Sequence, residues 1–131
     1  MNEATVTQHV LWEAAKLDIN LMRNNVGACM TDEGRLIRYG LMNESAKQND
    51  KFKSSDYIGI TPVRCFVDNL GLVTLGVFTA IEMKETGWKF SQNDKRAVAQ
   101  SAFHDIVRSY GGFAGFATEP GDVRRIIKGV R

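Results

Sequence analysis

The run Val77-Phe78-Thr79-Ala80-Ile81, closed by Glu82-Met83-Lys84, constrains this chain more than any other segment. Val, Phe, Thr and Ile in succession favour a buried β-strand, and a buried strand needs sheet neighbours and a covering layer. Two opposite charges at its end therefore need a reason. Side chains alternate along a strand, so residues 82 and 84 point to one side. A carboxylate and an ammonium are shown together at the rim of a sheet. Upstream, Ser54-Ser55-Asp56 runs into the apolar Tyr57-Ile58-Gly59-Ile60, so a second carboxylate opens another strand.

The rest of the pattern supplies the frame. Val6, Val10, Leu11, Ala14, Ala15 and Leu17 recur with helical period, predicting a helix over residues 5–17 capped by Thr5 or Asn2. Ile19 to Met22 reads as a short strand. Asp32-Glu33-Gly34 is a turn between Ala28-Cys29-Met30 and Leu36-Ile37-Arg38-Tyr39, which predicts a hairpin. Residues 41–55 are polar and lack periodicity, so they read as a loop. Strands follow at 57–61, 64–67 and 74–83, with Asn69-Leu70-Gly71 as a turn. A helix fits residues 91–110, with Ser91 as cap, Asp94 in its first turn and Gly111-Gly112 as its stop. Phe113 to Ala117 is a short buried strand, and Pro120 opens a final helix.

A strand ending at Lys84, a helix, and a strand at 113 form a βαβ unit, so part of the sheet is expected to be parallel. The hairpins before it are antiparallel. The expected class is α/β or α+β, with helices flanking one mixed central sheet. At 131 residues the chain is expected to form a single domain. No apolar run approaches the ~18 residues of a membrane span, and Met1-Asn2-Glu3-Ala4 does not open a signal peptide. Cys29 and Cys65 lie far apart without clustered histidines, which argues against zinc and suggests reduced thiols in a cytoplasm.

An Asp and a Glu-x-Lys, each at a strand edge, suit metal-dependent phosphodiester hydrolysis. Mg²⁺ prefers oxygen ligands and typically takes one or two carboxylates from a protein. Asp56 and Glu82 meet that need if their strands are neighbours, with the Met83 carbonyl as a third oxygen. Two close carboxylates repel unless a cation lies between them. Lys84 would balance charge on the phosphate. Net charge is only +2, but Lys47, Lys51 and Lys53 crowd the approach to Asp56, and Arg124, Arg125, Lys128 and Arg131 crowd the C-terminus. Plainer roles suit the same residues: a strand cap for Asp56, a surface ion pair for Glu82 and Lys84, solvated lysines elsewhere. His9 and His104 read as packing or pairing residues, and Trp12, Trp88 and Phe103 as core or interface.

Several segments, in order and spacing, carry a resemblance. They are Arg23-Asn24-Asn25-Val26-Gly27-Ala28, Gly34 to Gly40, Ser54-Ser55-Asp56-Tyr57-Ile58-Gly59-Ile60, Ala80-Ile81-Glu82-Met83-Lys84, Gln100-x-x-Phe103, and Gly111 to Ala117. Together they resemble a VRR-NUC domain of the PD-(D/E)XK nuclease superfamily, over the chain from near its start to about residue 120. The resemblance implies a restriction-endonuclease-like αβββαβ core and cleavage of DNA with Mg²⁺ or Mn²⁺. It implies Asp56 and Glu82 as metal-binding and catalytic, Met83 as a metal ligand, Lys84 as catalytic, and Gln100 as a catalytic helper on the following helix. It also implies an early glutamate, which maps to Glu3, with Glu13 as its rival. Arg23, Lys51 and Lys53 are the expected nucleic-acid contacts. Lys53 stands where the family often has glycine, and the segment 67–73 lengthens a hairpin.

Small free-standing members resemble Holliday-junction resolvases that act as homodimers in a bacterial or phage-infected cell. Branched DNA is thus the expected substrate, and the first helix, Trp12 included, the expected dimer face. The alternatives are a nicking or flap nuclease of replication and repair, and a catalytically silent nucleic-acid-binding module.

Overall fold

The structure is a computed structural model, described here for residues 1–127; Lys128 and Arg131 of the basic C-terminal cluster lie outside the described residues. The order is α1 (Glu3–Lys16), β1 (Asn20–Arg23), β2 (Gly27–Met30), β3 (Leu36–Tyr39), α2 (Ala46–Lys51), β4 (Tyr57–Val67), β5 (Gly71–Met83), α3 (Lys95–Ser109), β6 (Phe113–Ala117) and α4 (Asp122–Ile127). One sheet runs β1-β4-β5-β6 and a separate ribbon pairs β2 with β3. β4 is antiparallel to β1 and β5, whereas β5 and β6 are parallel across the α3 crossover. The sheet is mixed and flanked by helices, as expected. Without the ribbon and α2, the order up to β6 is αβββαβ.

Side-chain parity along the strands sorts the two faces. Odd positions Ile81, Met83, Phe113 and Ala117 join Val6, Val10 and Ala14 of α1 and Val123 and Ile127 of α4 in one core. Even positions Ala80 and Ala114 meet Phe103 and Val107 of α3, with Ile58 beside them. Glu82 is even, so the strand turns its carboxylate toward α3. Residues 79–83 are all buried, while none of 71–78 is.

Three local expectations are corrected. Residues 41–55 are not all loop: α2 forms there, because Ser45 Oγ accepts from the N–H of Gln48 and Gln48 Oε1 accepts from the N–H of Glu44. This is close to a capping box, which needs no apolar face. The strands at 57–61 and 64–67 are one strand, β4, running through Pro62. β1 pairs with β4 only as far as Ile60, and beyond it one edge of β4 is open, the setting in which a strand tolerates proline. The cap of α3 is Asp94, whose carboxylate accepts from the N–H of Ala97; Ser91 instead closes a turn on Asn93. Of the two caps expected for α1, Asn2 serves, its Oδ1 accepting from the N–H of Thr5. The hairpin at 67–71 turns through Asn69 and Gly71, both at positive φ.

Candidate metal and nucleic-acid site

The register of β4 on β5 pairs Tyr57 with Ile81. One step further, Asp56 falls opposite Glu82 across the two strands. The backbone confirms the approach: the Asp56 N–H donates to Glu82 Oε2 at 2.9 Å. The other oxygen, Oε1, accepts from Gln100 Nε2 at 2.8 Å. Glu82 is only 3% exposed and Gln100 1%. Burial pushes the Glu82 carboxyl up to about 8, and the Asp56 charge and a carboxyl–carboxyl hydrogen bond push it the same way; Lys84 and the Asp56 N–H act against this. A carboxyl so placed gains from a cation nearby.

Lys84 follows on the same side of the strand. Its N–H donates to the Ala117 carbonyl, which holds the backbone beside β6. Its ammonium lies 5.2 Å from the Trp88 ring centroid and 6.0 Å from that of Phe116, a cation–π arrangement. Among the described residues it forms no ion pair. Trp88, read from sequence as core or interface, thus packs between Lys84 and Phe116.

The helix α3 presents Arg96, Gln100 and His104 at one-turn intervals. Gln100 reaches Glu82. His104, buried, shares a hydrogen bond of 2.9 Å with Ser55 Oγ, next to Asp56. Burial pushes the His104 ring down to about 4, so it is neutral. Asn24 ties down the same segment: Nδ2 donates to Ser54 Oγ and the Ser55 carbonyl, and its N–H donates to the Asp56 carbonyl at 2.7 Å. The segment 54–56 is therefore fixed from two sides. Sequence reasoning found Gln100 but missed the Ser55–His104 bond, although the spacing of 100 and 104 put both on one face.

Glu3 lies exposed in the first turn of α1, and the Thr86 N–H donates to the Met1 carbonyl at 3.1 Å. The start of α1 therefore adjoins the loop that follows Lys84. The rival Glu13 is engaged elsewhere, with Arg124 at 3.3 Å and Lys16 at 3.8 Å. The Met83 side chain is fully buried in the opposite core, so only its backbone faces other roles. Among the described residues no group of three or more His, Cys, Asp or Glu side chains assembles; the acids come as a pair.

That pair suits a hydrated divalent ion. Mg²⁺ keeps several waters and takes few protein carboxylates. Gln100 Oε1 is buried without a hydrogen-bond donor among the described residues, and buried acceptors are rarely left so. It is a ready acceptor for a water beside Glu82.

Asp56 also lines a cleft of about 600 Å³ bounded by the β2–β3 ribbon, α2 and the start of α3. Arg23 and Lys53, two of the expected nucleic-acid contacts, line it as well. Lys51 does not; its ammonium lies 5.5 Å from the Phe52 ring centroid. Arg38 and Arg96 line the cleft and were not anticipated. No helix among the described residues is long and apolar enough to cross a membrane. No protein-family model, no curated protein and no solved structure matches this chain.

Proposed function

We propose that this protein is a metal-dependent DNA endonuclease. The observation that carries the reading is the facing pair Asp56 and Glu82, drawn together by the strand register, with Gln100 on one acid and Lys84 beside it. Asp56, Glu82 and the Met83 carbonyl would hold Mg²⁺ or Mn²⁺, and the position of α1 leaves Glu3 as a further candidate. When bound, such an ion neutralises the phosphate and acidifies a water. Gln100 fixes the Glu82 carboxylate and offers its free oxygen to a water. Lys84, oriented by Trp88 and Phe116, balances negative charge growing on the phosphate. Arg23 and Lys53 supply attraction for the polyanion.

Branched DNA such as a Holliday junction is the proposed substrate, cut by a homodimer, since two-fold symmetry offers one site to each of two strands. Exposed apolar residues support self-association. Trp12 is 57% exposed on α1, and the β4–β5 arm shows Phe66 at 74% and Leu70 at 71%.

The test is to incubate the protein with junction and linear DNA in Mg²⁺, Mn²⁺ or chelator. Cutting that needs metal, vanishes in Asp56→Asn and Lys84→Ala, and spares their DNA binding is the expected result. Binding without cutting in every metal would leave a silent binding module instead.

A further inference from the structure

The cations of the cleft share an arrangement. Arg23 Nε donates to Asn25 Oδ1 at 3.0 Å, Arg38 Nη1 to Asn43 Oδ1 at 3.1 Å, and Lys53 Nζ to Asn49 Oδ1 at 2.6 Å. All six residues line the same cleft. None of these cations is in an ion pair among the described residues, and the side chain of Arg96, the fourth, makes neither an ion pair nor a hydrogen bond there. Carboxylates are the usual partners that hold Arg and Lys in place, and they cancel the charge they hold. An amide oxygen orients the same group and leaves its full charge for a ligand.

One of the orienting amides is itself secured. Asn43 is buried, and its Nδ2 donates to the carbonyls of Gly27 at 2.7 Å and Tyr39 at 3.0 Å, one on each strand of the ribbon. Asn49 sits on α2 and Asn25 in the link from β1 to β2. Fixing long cationic side chains beforehand lowers the ordering cost when an anion binds. Among the described residues Tyr39 is the one aromatic ring lining the cleft, so phosphate contact outweighs base stacking here.

We infer that this cleft is a charge-preserving track for the phosphodiester backbone of one DNA strand, its asparagines orienting Arg23, Arg38 and Lys53 while Arg96 stays free to reach a phosphate. This rests on the nuclease reading, because Asp56 lines the same cleft and a strand lying in it passes one of the facing acids. The track is indifferent to sequence, since its donors read phosphate and not base edges.

Asn25→Asp and Asn49→Asp test it, because each keeps the shape of the orienting group and turns it into a neutralising one. Asn69→Asp, at the tip of the β4–β5 arm, adds the same charge elsewhere. Binding of a short fluorescein-labelled oligodeoxythymidylate is followed by anisotropy in chelator across a salt series. Each cleft variant is expected to bind about tenfold more weakly and to lose about one unit of salt slope. Asn69→Asp stays within twofold, and thermal melts by circular dichroism stay at the wild-type midpoint. Should one cleft variant misfold, the other decides. Wild-type affinity in the cleft variants, a loss equalled by Asn69→Asp, or a wild-type protein that does not bind at low salt overturns the track. So does a nucleoside triphosphate that competes at the oligonucleotide's own concentration, which would make the cleft a site for small polyanions. A protein that binds as expected but cuts in no metal loses the nuclease reading and keeps the track; one that cuts while both cleft variants bind normally does the reverse.

Discussion

Glu82 accepts a hydrogen bond from the backbone of Asp56, the residue facing it across β4 and β5, and thereby lies buried beside a second acid. This contact ties the strand register to the proton affinity of the site, since the register sets how close the two carboxyls lie.

The first consequence is a stability that falls with pH. Folding raises the Glu82 carboxyl from its ordinary 4.5 to about 8, through burial first and the Asp56 charge second. The folded state keeps a proton that the unfolded chain releases, so this stabilisation is full below pH 4.5 and lost as pH rises through 8. His104 runs the other way. Burial lowers it from 6.5 to about 4, so its contribution is full above 6.5 and lost as pH falls toward 4. The two slopes oppose between 4.5 and 6.5, and above 6.5 Glu82 acts alone, at up to about 1.4 kcal/mol per pH unit. Urea unfolding in chelator at several pH values is expected to show a plateau and then a decline. Glu82→Gln, which mimics the protonated carboxyl, is expected to abolish the decline; a variant that keeps it would assign the decline to another group.

Mg²⁺ should reverse that decline. A cation held by Asp56 and Glu82 needs both ionised, so binding near neutral pH releases a proton. Calorimetric titration with Mg²⁺ in two buffers of different ionisation enthalpy is expected to give different apparent heats. Equal heats, or no binding, would count against the carboxylate pair as the metal site.

The Ser55–His104 bond fixes the residue before Asp56 to α3. Ser55→Ala leaves a buried ring nitrogen without its partner, at a cost of about 1–3 kcal/mol. The double variant with His104→Phe is expected to lose less than the sum of the single losses. Chemical denaturation of the four proteins measures this, and additive losses would mean that the two groups act independently.

Gly59 is where β1 approaches β4 most tightly. A Cβ there would run into the Asn20 carbonyl oxygen, and backbone cannot yield as a side-chain tip can. Gly59→Ala is expected to cost about 1–3 kcal/mol or more and to loosen β1. Since β1 carries Arg23 and leads to Asn24, DNA binding is expected to weaken as well. Amide exchange at residues 20–23 measures the loosening; unchanged protection there would show that the strands shift together.

What the sequence determined was local. Alternation along 77–84 put Glu82 and Lys84 on one side, the period of α1 gave its buried face, and Gly111, at positive φ, ended α3 as its position suggests. Such features depend on neighbours a few residues away, and their causes are written in consecutive letters. The capping pair Ser45 and Gln48 was equally local, but a helix with no apolar stripe gives periodicity nothing to detect.

Only the tertiary structure decided which residues meet. Asp56 faces Glu82 because the long hairpin fixes the register, and Gln100 reaches Glu82 because α3 packs across Ala80 and Ala114. His104 finds Ser55 49 positions away in the chain, and Arg38, Lys53 and Arg96 face one cleft only after the ribbon, α2 and α3 have packed around it. Those meetings depend on long-range packing, for which no short stretch of sequence carries the instruction.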